Sequence, residues 1–118
     1  MTATSDRERA REPEDLGRLF LDRARAGDAE GLVALYEPDA VMAGPGGELV
    51  RGSAGLLGFY ERLLTDPPAF GGTVSPVVRH GDLALTSTRF SGGATAEIAR
   101  RQRDGSWLWI ADQPNVLR

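Results

Sequence analysis

Ala94-Thr95-Ala96-Glu97-Ile98-Ala99-Arg100-Arg101-Gln102-Arg103-Asp104-Gly105-Ser106-Trp107-Leu108-Trp109-Ile110-Ala111-Asp112-Gln113-Pro114 reads as two strands joined at Asp104-Gly105. Aspartate followed by glycine suits a type I′ hairpin turn, because both central residues adopt positive φ. A two-residue loop sets Arg103 opposite Ser106, then Ala99 opposite Ile110 and Glu97 opposite Asp112. A three-residue loop slips that register and separates the two acids. Facing carboxylates repel, so a sheet does not select such a pair for stability. The pair therefore marks a candidate functional site.

Moving outward, His80-Gly81-Asp82 reads as a turn, Leu83 to Phe90 as a strand, and Gly92-Gly93 as a second tight turn. Val74 to Val78 supplies one more strand. With a two-residue loop at Gly92-Gly93, Thr88 faces Glu97. One sheet face then carries Ala84, Thr86, Thr88, Phe90, Thr95, Glu97, Ala99, Leu108, Ile110 and Asp112. The other carries Leu83, Leu85, Ile98, Arg100, Trp107 and Trp109, with Trp109 opposite Arg100 at cation–π range. The first face is expected to line a cavity, because its polar groups converge at one end.

The N-terminal half reads as helical. Pro13-Glu14-Asp15 opens a helix carrying Leu16, Leu19, Phe20 and Ala24. Gly27 stops it, and Asp28 caps a second helix that runs to Pro38-Asp39. Ala40 to Ala43 and Leu49 to Arg51 are short strands around the glycine-rich turn Gly44-Pro45-Gly46-Gly47, a hairpin expected at the pocket mouth. Ser53 caps a third helix through Leu64, ended by Asp66-Pro67-Pro68. Helices followed by an antiparallel meander describe an α+β domain over 13–118, with 1–12 as a disordered arm.

At 118 residues the chain is one domain. A net charge of −3 without a basic run argues against nucleic acid or a membrane as partner. The 14 basic residues are all arginine, so Schiff-base lysine chemistry is excluded. Cysteine is absent, which removes disulfides and thiolate catalysis and suits a cytoplasmic protein. The single histidine, His80, sits in a turn and leaves no histidine cluster for a metal. The first residues alternate arginine with acids and lack the apolar run of a signal peptide.

Gly27-Asp28 between helices, Leu35-Tyr36-Glu37-Pro38-Asp39-Ala40-Val41, Arg51-Gly52 leading to Phe59-Tyr60, and the tail carrying Glu97, Arg100-Arg101-Gln102, Trp107 and Asp112-Gln113-Pro114 together resemble the NTF2-like superfamily. Within it the chain is similar to the SnoaL-like and DUF4440-type groups, from Glu14 to Asn115. The resemblance implies a cone of three N-terminal helices on a curved, mostly antiparallel sheet. It also implies a pocket within the cone and a homodimer. Ketosteroid isomerases of this superfamily carry a catalytic aspartate just before the proline that follows the first strand. That position is Gly44 here, and the tyrosine of their first helix is matched by Phe20. Proton abstraction beside a carbonyl needs both a base and an oxyanion donor, so their chemistry is not expected.

Any acid–base chemistry must then come from elsewhere, and Glu97 and Asp112 are the leading candidates. In an apolar pocket, desolvation and mutual repulsion raise at least one carboxyl, leaving one acid as donor and one as base. Thr88 and Tyr60 are expected to orient a substrate, with Phe20, Met42 and Ile110 lining its apolar part. The structural alternative pairs Glu97 with an arginine and has Asp112 cap the turn before Pro114. The functional expectation is a cofactor-independent isomerase, cyclase or hydrolase acting on a small hydrophobic molecule. The alternatives are a non-catalytic binding protein or a dimerisation module of the same fold.

Overall fold

A computed structural model describes residues 7–117. Helix α1 (Asp15–Arg25) begins where the Asp15 carboxylate accepts the backbone N–H groups of Arg11 and Glu12, both at 3.0 Å. Gly27 adopts φ +70° and breaks the helix. Asp28 then caps α2 (Ala29–Val33) by accepting the Gly31 N–H at 2.9 Å. Arg23 is buried, and its guanidinium donates to the carbonyls of Gly31 (2.7 Å) and Glu8 (2.5 Å). It thus ties the end of α1 to α2 and to the segment ahead of Pro13.

That segment corrects part of the expected disordered arm. Of residues 1–12, the first six lie outside the described residues, and 7–12 are docked. Arg7 pairs with Asp28 at 2.9 Å, Ala10 is buried, and the Ala10 carbonyl accepts the Trp107 N–H at 2.9 Å. A paired backbone group and a buried methyl hold the chain where composition alone suggests freedom.

The second helix is also shorter than expected. Tyr36 already belongs to β1 (Tyr36–Ala43), because Leu35 and Tyr36 pair with Trp109 across a parallel ladder. β2 (Leu49–Arg51) returns antiparallel to β1. α3 (Gly52–Thr65) follows with Arg51 at its N-cap; no side chain caps it, so Ser53 does not serve that role. The remaining strands are β3 (Thr73–Val74), β4 (Val78–His80), β5 (Leu83–Thr86), β6 (Thr88–Phe90), β7 (Gly93–Ala94), β8 (Ala96–Arg101) and β9 (Trp107–Gln113). They form a six-stranded mixed sheet, β2-β1-β9-β8-β5-β4, and a three-stranded sheet, β3-β6-β7. The strand expected from Leu83 to Phe90 divides at Ser87, with one half in each sheet. The expected strand Val74 to Val78 divides likewise between β3 and β4.

Among the described residues this is an α+β fold with a curved mixed sheet and three helices, the third following two strands as its sequence order implies. Leu16, Leu32, Leu35, Met42, Leu56 and Trp107 are each under 2% exposed and form the core between helices and sheet.

The β8–β9 hairpin has a different loop from the one expected. Gln102 N–H donates to the Ser106 carbonyl, so Arg103-Asp104-Gly105 is a three-residue loop in which only Gly105 takes positive φ, at +86°. Asp104 instead accepts the N–H and hydroxyl of Ser106. Ala99 therefore faces Trp109, not Ile110. A β-bulge between Ile98 and Ala99 on the pairing ladder absorbs Ile110 and restores Glu97 opposite Asp112. The longer loop puts Trp107 and Trp109 opposite Arg101 and Ala99 on the inner face, where both are buried, and the bulge returns Asp112 to that face. Arg100 pairs with Glu37 at 2.8 Å rather than with an indole, and Trp107 is covered by Arg79 (4.9 Å to the ring centroid) and Arg101 (5.9 Å).

Candidate functional site

A cavity of about 350 Å³ opens between α1, α3, the 68–77 connection and the inner face of both sheets. It brings together Phe20 from α1, Met42 from β1, Tyr60 from α3, Thr88 from β6, Glu97 from β8 and Asp112 from β9. Ile110 is not among the lining residues, because the bulge takes it out of the inward row. Neither Gly44 nor the rest of the Gly44–Gly47 turn lines the cavity, which corrects the expected place of that hairpin. His80 is exposed but ends strand β4, paired with Leu83, so the turn itself is Gly81-Asp82.

The register at the second turn also differs from expectation. Phe90 pairs with Gly93, so Ser91-Gly92 form the loop, with Gly92 at φ +87°. That shift puts Thr86, not Thr88, opposite Glu97. Thr86 Oγ1 donates to Glu97 Oε1 at 2.6 Å and accepts the Trp109 indole N–H at 3.1 Å. The indole nitrogen can only donate, so it orients the Thr86 hydroxyl toward the carboxyl. Glu97 is 7% exposed, and no arginine pairs with it among the described residues. Burial pushes its carboxyl up, and the Thr86 and Thr95 hydroxyls oppose that shift.

Asp112 is held by a second relay. Tyr36 OH donates to Asp112 Oδ2 at 2.5 Å and lies 2.7 Å from Tyr60 OH, which is 3.9 Å from Met42 Sδ. Asp112 caps no turn; its carboxyl faces the cavity. Burial, and then the Glu97 charge, push Asp112 up to about 7, against the Tyr36 hydrogen bond. Both phenols are driven above their ordinary value, by burial first and the Asp112 charge second, and so remain proton donors. A carboxyl near 7 can both accept and give a proton at neutral pH. A buried acid and a part-buried one, each oriented by a donor chain, are the parts that proton transfer on a bound molecule requires. Among the described residues, no three His, Asp or Glu side chains gather as metal ligands, and no helix is long and apolar enough to cross a membrane.

Tyr36 is buried in the core and also donates to Asp112, whereas Trp109, expected on the opposite sheet face, lines the cavity. Both belong to the site. Trp109 faces inward because the β8–β9 loop has three residues, a loop length that Asp104-Gly105 does not by itself distinguish from two. Tyr36 follows from the parallel β1–β9 pairing, a contact between distant segments.

The SnoaL-like domain model matches residues 18–113. No curated protein matches the chain. A ketosteroid isomerase-like protein from Erwinia carotovora atroseptica has a TM-score of 0.72 at 20% identity, covering 85% of this chain and 89% of its own. A putative dehydratase of the NTF2-like family from Streptomyces avermitilis has a TM-score of 0.69 at 16% identity, over 85% of this chain and 90% of its own. An NTF2-like protein with a cystatin-like fold from Novosphingobium aromaticivorans reaches 0.63 at 21% identity, over 84% and 75%. At such identities the likeness is one of fold.

Proposed function

The chain belongs to the SnoaL-like family of NTF2-like domains, and we propose that it is a cofactor-independent acid–base enzyme acting on a small, largely apolar molecule within the cavity. The observation that carries this reading is the Asp112 carboxyl, lifted to about 7 and held at 2.5 Å by a Tyr36–Tyr60 hydroxyl pair. Asp112 takes or gives the proton, Glu97 holds the second, and Tyr60 and Thr88 orient the substrate. Isomerisation and cyclisation need only these parts, and epoxide opening adds one water, whose oxygen bonds to the ring carbon as its proton passes to the base while the acid protonates the leaving epoxide oxygen. Neighbours described as ketosteroid isomerase-like and as a putative dehydratase share the fold, and such folds carry many chemistries.

The test is proton exchange. Small cyclic ketones incubated in D₂O are followed by NMR for loss of the α-proton signal, and small epoxides for hydrolysis. The wild type is expected to accelerate at least one of these, and Asp112→Asn to abolish the acceleration while still binding the same compound. Saturable binding with no chemistry above the Asp112→Asn background supports the second reading, a non-catalytic binding protein, which the mostly apolar walls also suit.

The outer face of the sheet bears a row formed by Val78 (64% exposed), Leu85 (47%) and Ile98 (42%), paired in register across β4, β5 and β8. We assign this face to a homodimer contact, testable by light scattering of wild type against Leu85→Arg. The lack of cysteine suits the cytoplasm, the location we propose.

A further inference from the structure

We propose that the occupant of the cavity carries an ammonium group, seated between Glu97 and Asp112, with its apolar body along the aromatic wall. This rests on the reading that the cavity is the ligand site, and it adds the charge of the ligand.

The charged residues lining the cavity are Glu14, Glu97 and Asp112. All are acidic, although the chain carries 14 arginines. Neither Glu97 nor Asp112 forms an ion pair among the described residues, while other acids of the chain, Glu37 at 2.8 Å from Arg100 among them, find arginine partners. A buried like-charge pair without a counter-ion is costly to ionise. An anionic ligand adds repulsion, and a neutral one leaves the repulsion in place. A monovalent cation turns the pair into a hydrogen-bonded triad with one net charge.

The surrounding rings point the same way. Asp112 is linked through Tyr36 to Tyr60, and Glu97 through Thr86 to Trp109. Each acid therefore stands beside an aromatic wall residue. Phe20 bridges these two rings at 6.1 Å centroid distance from each. Aromatic faces attract organic cations, most strongly where water is excluded. Tyr36 and Thr86 occupy Asp112 Oδ2 and Glu97 Oε1, and Asp112 Oδ1 makes no hydrogen bond among the described residues. An ammonium has three donors to offer. The cavity volume, about 350 Å³, holds an arylalkylamine with room to spare.

Three probes of one shape test the proposal: benzylamine, benzyl alcohol and benzoate, titrated into the full chain near neutral pH and followed by calorimetry or protein NMR. Benzylamine is expected to bind about tenfold or more tightly than benzyl alcohol, and benzoate not to bind. Glu97→Gln and Asp112→Asn are each expected to bring the amine-to-alcohol ratio close to one, and a cooperative urea unfolding transition in each variant reports an intact fold. Alcohol binding as tight as amine binding overturns the ammonium while leaving the cavity as the ligand site. Amine preference that survives in both variants assigns it to general surface charge and also overturns the proposal. No binding of any probe overturns both this proposal and the reading it rests on.

Discussion

Asp112→Asn is expected to stabilise the protein, and by an amount that depends on pH. In the folded chain the Asp112 carboxyl titrates at about 7, against an ordinary value of 3.8. Below 3.8 the carboxyl is neutral in both folded and unfolded chains and exacts no penalty. Between 3.8 and about 7 the unfolded chain ionises while the folded chain does not, so stability falls as pH rises through this window. Above 7 both forms are ionised and the loss is complete. A carboxyl raised from 3.8 to about 7 corresponds to about 4 kcal/mol at 1.36 kcal/mol per pH unit, a ceiling that relaxation of the site reduces. Asparagine keeps an acceptor for the Tyr36 hydroxyl and does not titrate. Urea unfolding of wild type and variant across this range, read as the difference between the two, isolates Asp112 from the other acids. The stabilisation is expected to be small in acid, to grow through the window, and to level off above neutrality. A difference that does not change with pH, or that shrinks as pH rises, refutes the assigned cause of the shift.

Tyr36→Phe removes the hydroxyl that favours ionised Asp112, so the Asp112 carboxyl carbon is expected to titrate above 7 by NMR. Thr86→Val leaves the Trp109 indole N–H without its acceptor and Glu97 without a donor; a loss of about 1–3 kcal/mol is expected in denaturant unfolding. Gly105→Ala forces a side chain onto φ +86° and is expected to cost about 1 kcal/mol, checked the same way. Ala10→Asp buries a charge beside the Trp107 strand, where Ala10 is 2% exposed, and is expected to cost at least about 2 kcal/mol and to expose residues 7–12 to protease.

Local signals were legible where local physics decides. Gly27, the Asp28 cap and the Asp66-Pro67-Pro68 stop all reflect steric or hydrogen-bonding needs met within a few residues. The Glu97–Asp112 pairing was also legible, though by compensation: the loop is one residue longer than expected, and the bulge at Ile110 returns that residue. Strand pairing at Ser91-Gly92 was less so, because adjacent glycines offer two registers of equal backbone cost. Thr86 consequently takes the place expected for Thr88 beside Glu97. The docking of Ala10 and the parallel partnership of Tyr36 are contacts between remote segments, and no local pattern encodes them. The outline of the fold was legible through resemblance, whereas the inner surface of the sheet depends on a single irregular residue.

That residue has an evolutionary consequence. Strict alternation would put Trp107 and Trp109 on one side of the sheet and Asp112 on the other. The bulge alone lets an indole and an acid separated by an odd number of positions share a wall. Sliding it along β9, through paired gains and losses of single codons, would exchange which side chains face the cavity without altering the repertoire of amino acids. Insertions and deletions in this strand are therefore a route to new cavity chemistry as direct as point substitution. Related chains are best compared by strand pairing, since matching positions by residue number alone would align inward side chains with outward ones.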